Sequence, residues 1–433
     1  MIKDYNINQN LSVNFNNAIG FLNGIQFNYP EAISFLAGQP DEDYFNIEAN
    51  MLQFNKFVEY RLVNSEKTRL QVINAIGQYN KTAGIINDIL VKYVHKDYNI
   101  TVDENEVLVT VGAQEAFAII VSTICNIDED IILVENPGYV GLSSFAKIYD
   151  YSIKGIAIDE QGINLEALEK TLISSNEGDK KVKLVYVIPD HQNPSGVSMP
   201  TENRLKLLAL AEQYNFLIVE DSVYNNFSYE EAQLPTLKSL DTSNRVIYVG
   251  SFSKSLFPGL RIGFILSDQI IENSNGENIP LIQEMTKVKS QTTNNTPSIT
   301  QAILGGILVD LDFSLRAYNT EKLKSYKNKL QLMLSCLDEY VGNKTWSENI
   351  FWTKPKGGFF IKMKLPFTID KNEVIKCAKE YNVLFCPMSF FYLDDGGTNE
   401  LRLTFSNVAP KAIRQGVKNL SNYLKNQIEQ SKH

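Results

Sequence analysis

The chain has 433 residues, 44% hydrophobic and 21% charged, with a formal net charge of −9. This length exceeds one compact core and suits a large domain with a smaller one. The acidic balance disfavours nucleic acid, whose phosphates need a basic partner, and no apolar run reaches the ~20 residues that cross a bilayer.

The start, MIKDYNINQN, is polar and reads as neither a signal nor a transit peptide. Cys125, Cys336, Cys377 and Cys386 are far apart, with no CxxC pair. They read as buried thiols of a reducing compartment, so a cytoplasmic protein is expected. His95, His191 and His433 are the only histidines, which leaves few candidates for a metal site or a Ser–His–Asp triad. No metal is expected. GxSxG, Walker and GxGxxG sequences are absent, so a bound cofactor is the expected source of difficult chemistry.

The first 65 or so residues are Asn-rich, with few regular patterns. From about residue 70, short apolar runs predict strands at Glu106–Thr110, Ile131–Glu135, Lys183–Ile188, Phe216–Glu220, Val246–Gly250 and Ile262–Leu266. Helices are predicted between them, among them Glu115–Cys125 and Thr201–Tyr214. Continuous apolar strands alternating with helices predict a mainly parallel sheet covered on both faces. Residues 312–340 are charged and proline-free, as suits a long connecting helix, and strands at Gly358–Lys364 and Leu401–Phe405 open a smaller unit.

In such a sheet, ligands bind beyond the carboxyl ends of the strands. Polar segments follow the predicted strands consistently: Gly112-Ala113-Gln114, Asn136-Pro137-Gly138-Tyr139, Asp190-His191-Gln192-Asn193-Pro194, Asp221-Ser222-Val223-Tyr224 and Ser251-Phe252-Ser253-Lys254. These segments are expected to converge on one rim. Taken singly, each residue has a plainer reading. Lys254 is a surface lysine, Asp221 a helix N-cap, Asn193 a turn residue before proline, and Tyr224 a core residue. Tyr139 is turn packing, Tyr79 a buried tyrosine and Arg402 a strand-surface arginine.

The segment Ser251-Phe252-Ser253-Lys254-Ser255-Leu256-Phe257-Pro258-Gly259-Leu260-Arg261-Ile262-Gly263-Phe264 resembles the cofactor-lysine region of fold-type-I pyridoxal-phosphate enzymes, the aspartate-aminotransferase superfamily. The resemblance runs from about Ile33 to Phe405 and is greatest to the 2-aminoadipate and kynurenine aminotransferase branch. It implies an α/β fold with a mainly parallel seven-stranded sheet in a large cofactor-binding domain (66–315). Residues 1–65 and 316–433 would supply a smaller α/β domain and a substrate lid. It implies that Lys254 forms an imine with pyridoxal 5'-phosphate and, once displaced, moves the proton at Cα. Asp221 would pair with the pyridinium N–H; Tyr224 and Asn193 would hydrogen-bond the phenolate oxygen. Gly112, Ala113 and Gln114, at a helix expected to begin near Glu115, would bind the phosphate together with Ser251, Ser253 and Arg261. Ala113 stands where the family often has serine and can offer only its amide. Tyr139 would stack on the ring, and Arg402, in Leu-Arg-Leu-Thr-Phe-Ser, would hold the substrate carboxylate, with Asn193 and Gly38 beside it. Gln78-Tyr79-Asn80-Lys81-Thr82-Ala83-Gly84 is similar to the family's QYGxxxG stretch. That implies that Tyr79 reaches the phosphate of a neighbouring subunit in a homodimer with shared active sites.

Ile33-Ser34-Phe35-Leu36-Ala37-Gly38-Gln39-Pro40 resembles the branch's substrate-side ISxxGGxP segment, with Ala37 in place of a glycine. Branch members that take dicarboxylic substrates place an arginine in the N-terminal segment, yet residues 4–55 contain neither Lys nor Arg. A neutral, aromatic or cationic side chain is therefore expected. The family usually has Pro-Gly where this chain has Pro387-Met388, so an altered pocket wall or loop angle is expected there. The expected reaction is transfer of an amino group from an amino acid to a 2-oxo acid. Another α-carbon reaction, such as oxidation, decarboxylation or elimination, stands beside it, because fold does not dictate reaction.

Overall fold

The computed structural model describes residues 8–11, 18–230, 233–272 and 275–430. Residues 1–7 of the polar start, and His433, lie outside the described residues. An eight-stranded sheet dominates the structure. Its order is Val107–Thr110, Gly263–Leu266, Val246–Ser251, Leu217–Asp221, Lys181–Val187, Asp130–Asn136, Ser152–Asp159 and Gly162–Ile163. The neighbouring strands from Val246–Ser251 to Ser152–Asp159 run parallel, while Gly263–Leu266 is antiparallel to both of its neighbours. The eighth strand, Gly162–Ile163, turns back antiparallel on the end of Ser152–Asp159, so it extends the expected seven-stranded sheet by a two-residue hairpin arm. All four residues of Val107–Thr110 are buried, as are Val246–Gly250 and Ile218–Asp221. Such strands have no solvent face, which is why they read as unbroken apolar runs.

A second sheet of four antiparallel strands orders Phe351–Trp352, Phe360–Lys364, Glu400–Thr404 and Cys386–Pro387. The amphipathic helix Pro410–Gln430 contributes Ile413, Val417, Leu420 and Leu424 to the same core. The N-terminal segment joins this smaller unit. Ile33–Ser34 pairs in parallel with Val383–Leu384, and the Phe35 amide donates to the Leu384 carbonyl at 2.9 Å.

The connecting element is one 25-residue helix, Arg316–Tyr340. One face of it carries Lys322, Tyr326 and Lys329, spaced to line up along the helix. Lys322 Nζ donates to the Ser255 carbonyl at 2.7 Å, beside the Lys254 loop. The Asp41 amide donates to the Tyr326 hydroxyl at 2.8 Å, and Lys329 Nζ reaches Asp41 at 2.6 Å and the Ser406 carbonyl at 2.9 Å. The helix thus ties the Lys254 loop of the large sheet to both chain ends of the smaller unit. Three regular helices, Ala18–Asn28, Ile47–Leu52 and Phe54–Val63, lie among the described residues of the Asn-rich stretch where little pattern is legible.

Candidate active site

The carboxyl ends of the parallel strands and the smaller unit enclose a cavity of about 340 Å³. Of the residues expected at the site, Gly38, Ala113, Gln114, Tyr139, Asn193, Asp221, Tyr224, Ser251, Ser253, Lys254, Arg261 and Arg402 all line it. Gly112 lies immediately behind. Tyr79 does not reach it and is 81% exposed.

Lys254 sits in the turn after Val246–Ser251, and its Nζ donates to the Gly38 carbonyl at 2.8 Å. Burial lowers its pKa to about 8, helped by the Arg402 and Arg261 guanidinium groups and opposed by Asp221. Asp221 is the last residue of Leu217–Asp221, not a helix N-cap. One carboxylate oxygen, Oδ2, accepts from the Tyr186 hydroxyl at 2.6 Å. The other, Oδ1, is buried without a hydrogen-bond partner. Burial raises the carboxyl to about 6, against the Tyr186 hydroxyl, the Val223 amide and the charge of Lys254.

Arg402, on Glu400–Thr404, has its guanidinium between two rings, 4.4 Å from the Phe360 centroid and 4.7 Å from that of Phe391. Its Nη1 donates to Asn193 Oδ1 at 2.7 Å and its Nη2 to the Leu36 carbonyl at 2.6 Å, while Nε is buried and unpartnered. Asn193 also hydrogen-bonds Tyr224, whose hydroxyl burial holds in the protonated form. The loop that carries Asn193 is fixed from behind. Gln192 Nε2 donates to Glu135 Oε2 at 3.1 Å and to the Pro137 carbonyl at 2.9 Å, and its Oε1 accepts from the Ser195 amide and hydroxyl. The fully buried Arg204 pairs with Asp190 at 2.6 Å on the same loop.

The opposite end of the cavity is an anion cradle. The helix there spans Gly112–Ile124, so it begins three residues before Glu115, and the amides of Gly112, Ala113 and Gln114 form its free first turn. Gly112 has φ +74°, and a Cβ there would sit 2.5 Å from Arg261 Nη2. Gly263 lets the neighbouring strand approach: a Cβ would lie 2.9 Å from the Ala113 nitrogen. The hydroxyls of Ser251 and Ser253 are 3.2 Å apart on the facing turn. Gln114 anchors its side chain on the Gly141 carbonyl at 2.8 Å, below the half-buried Tyr139.

Several residues of the site are not legible in the sequence. Leu22, Val140 and Phe391 line the cavity, beside Ala37, Gln39 and Val223 of segments that the sequence does mark, and Tyr186 and Glu135 stand behind it. Leu22 and Phe391 belong to no motif, and only the fold brings them in. Met388 is buried in the turn Met388–Phe391, is not in the left-handed region and does not line the cavity. The wall contribution comes three residues later, from Phe391.

Residues 49–420 match the family model for aminotransferase class I and II. The (S)-3,5-dihydroxyphenylglycine transaminase of Amycolatopsis orientalis is 35% identical over 404 residues, which cover 93% of this chain and 90% of that one. A kynurenine aminotransferase of Pyrococcus horikoshii, solved in complex with PMP, has a similar fold. Its TM-score is 0.82 at 29% identity, over 98% of this chain and 97% of the other. So does an alpha-aminoadipate aminotransferase of Thermus thermophilus solved with N-(5'-phosphopyridoxyl)-L-leucine. There the TM-score is 0.76 at 27% identity, over 95% and 97% of the two chains. The chain belongs to the aminotransferase class I and II family. It is a pyridoxal-phosphate-dependent transaminase, moving an amino group from an amino acid to a 2-oxo acid.

Proposed function

We propose that this transaminase works on amino acids with neutral, mainly apolar or aromatic side chains, and that Lys254 is its covalent anchor and proton carrier. The observation that carries the reading is the set of unmet needs in one cavity. Asp221 Oδ1 is buried and needs a donor, a helix start with Arg261 and two serines needs an anion, and a lysine of lowered pKa needs an electrophile. A protonated pyridine nitrogen, a phosphate and an aldehyde meet them together. When bound, the cofactor supplies an electron-accepting ring conjugated to the amino group that is transferred.

The chain's own residues do the rest. Asp221 holds the ring nitrogen protonated. Tyr224 and Asn193 hydrogen-bond the ring oxygen, and Tyr139 covers one face. Gly112, Ala113, Gln114, Ser251, Ser253 and Arg261 bind the phosphate. Arg402, pinned by Asn193 and Leu36 and flanked by two rings, holds the substrate α-carboxylate and so fixes the direction of the Cα–H bond. Lys254 then takes and returns the proton, its amine held near the Gly38 carbonyl.

The cavity itself supports the substrate class. Its lining offers Leu22, Val140, Val223 and Phe391, and the cations among its lining residues are Lys254, Arg261 and Arg402, which already have partners in this scheme. A distal carboxylate has no cation left to meet. The test is to mix the holoenzyme with single amino acids, without a 2-oxo acid, and follow conversion of the cofactor to its amine form. Tyrosine, phenylalanine or leucine should convert it faster than glutamate or 2-aminoadipate. The reverse order would overturn the substrate class, and no conversion by any donor would overturn the transamination scheme.

We further propose a homodimer with shared sites, in a cytoplasmic setting that suits four free, buried cysteines. Tyr79 is exposed just beyond the helix Arg69–Gly77, on which Leu70 is also exposed, and it stands outside its own cavity. An exposed apolar surface of this kind is suited to burial against a second copy, where Tyr79 would complete the partner's phosphate site. A monomer by light scattering at working concentration would remove this proposal. No helix among the described residues is long and apolar enough to cross a membrane.

A further inference from the structure

Behind the cavity, one buried contact has no part in the scheme above. Tyr186 lies on Lys181–Val187, beside the strand that ends in Asp221, and only 1% of it is exposed. Its ring meets Phe117 edge-on at 5.3 Å, from the helix whose first turn forms the anion cradle. Its hydroxyl donates to Asp221 Oδ2 at 2.6 Å. This is a short, charge-assisted bond away from solvent, and it occupies one carboxylate oxygen while the other is buried without a hydrogen-bond partner in a residue that lines the cavity.

We infer that Tyr186 is a positioning residue that acts through Asp221. Its hydroxyl fixes Oδ2, turns Oδ1 toward the ring nitrogen, and keeps the shared proton on the nitrogen and off the carboxylate. The inference rests on the reading of Asp221 as the ring-nitrogen partner. The physical reason is a competition for one proton. In a buried N–H···O pair the proton sits on whichever partner holds it better, and desolvation of the carboxylate favours the uncharged acid and neutral pyridine. A second donor on the carboxylate opposes that transfer. Removing it raises the proton affinity of Asp221 and leaves the ring a poorer acceptor of electrons. The other charged and titratable groups that act on Asp221 or feel its charge are Lys254, Glu135, Tyr139 and Tyr224. Among these the buried Glu135, raised to about 8, is the one whose own titration must be followed separately.

The test uses holoenzyme carrying cofactor labelled at the ring nitrogen and read by nitrogen NMR. In the wild type the signal should lie in the pyridinium range. In Tyr186→Phe, which removes one oxygen and keeps the ring, it should move toward that of neutral pyridine. The value of kcat should fall by roughly 10- to 100-fold with KM little changed, the scale of one hydrogen bond to a charged group. In the cofactor-free chain the Asp221 carboxyl should titrate above its wild-type midpoint. With 3-fluorotyrosine at position 186, a stronger donor of nearly the same volume, it should titrate below that midpoint. A nitrogen signal in Tyr186→Phe that coincides with wild type would make the hydroxyl merely structural, whatever kcat does. If Tyr186→Phe does not fold, the fluorotyrosine chain decides: an unmoved Asp221 midpoint overturns the inference and a lowered one supports it. Asp221→Asn separates the two layers. If it too leaves the nitrogen signal unmoved, the reading of Asp221 fails; if it alone moves the signal, that reading stands and only the part given to Tyr186 falls.

Discussion

The two ends of the cavity are built in different ways. The end proposed to hold the cofactor is a row of strand ends: Asp221 closes one parallel strand, Ser251 closes the next with Lys254 just beyond it, and Gly112 follows an edge strand. Each residue there is placed by its own strand, and the sheet brings the strand ends together. The substrate end is assembled from the two ends of the chain. The Arg402 guanidinium is pinned by a carbonyl 366 residues earlier, and the Thr404 amide donates to Phe35. Leu22 and Phe391 line the same cavity from those two ends. The difference teaches where variation is cheap. A change at the cofactor end disturbs the chemistry common to all substrates, whereas a change at the substrate end alters which amino acid fits.

The comparison would break if damage at both ends produced the same phenotype. The largest effect is expected from Lys254→Ala. Turnover should fall by about 10⁴-fold or more, because the proposed anchor and proton carrier would be lost together. Borohydride should then fix no cofactor to the protein, as mass spectrometry would reveal; attachment at another lysine would overturn the assignment. The next pair distinguishes the two ends directly. Arg261→Ala should weaken cofactor affinity and be partly restored by added pyridoxal phosphate. Arg402→Ala should keep its cofactor and raise the substrate KM by roughly 10- to 100-fold, the scale of a lost charge-assisted contact. Equal rescue of both variants by cofactor would merge the two ends.

How much of this is legible in the sequence follows the same division. Val107–Thr110, Val246–Gly250 and Ile218–Asp221 of the large sheet are buried throughout, so their apolar runs are visible, and the polar ends mark the rim. Ser152–Asp159 gives no such signal, because it lies toward the sheet edge with mixed exposure and has no continuous apolar run. The helices Ile47–Leu52 and Phe54–Val63 are hidden in Asn-rich sequence, where tertiary packing of Phe57 and Val58 decides the conformation. Tyr186 looks like any strand core residue. Its bond to Asp221 arises from sheet pairing between segments 35 residues apart, which no local motif records. Leu22 and Phe391 are the extreme case, since their place in one cavity depends on the closure of the whole chain.

A smaller effect should sharpen the contrast at the substrate end. Leu22 lines the cavity and is half-buried. Leu22→Arg places a cation where residues 4–55 have none. The ratio of kcat/KM for 2-aminoadipate over tyrosine should rise by about tenfold, as for a partly desolvated charge pair. The nitrogen signal of the bound cofactor should stay in place. An unchanged ratio would mean that another segment sets the side-chain preference.

The smallest expected effect tests whether the two ends are electrically separate. Burial lowers the Lys254 pKa to about 8, and the Arg402 guanidinium contributes next after burial. In the cofactor-free chain near pH 8, about half of Lys254 should be neutral, whereas an ordinary lysine, with a pKa of about 10.4, is almost wholly charged. Acylation with limiting acetic anhydride, read by peptide mass spectrometry, should therefore modify Lys254 ahead of exposed lysines once access is corrected with a denatured control. Its rate should rise with pH through about 8 and then level off, while exposed lysines continue to gain at higher pH. Arg402→Ala removes a positive neighbour, so protonation of Lys254 becomes easier and its midpoint should move up. The corrected acylation rate below that midpoint should fall by a few-fold, although the substituted residue never touches the reagent. A midpoint unmoved by Arg402→Ala would mean that burial alone sets the lysine, and that the substrate arginine plays no part in preparing the cofactor end.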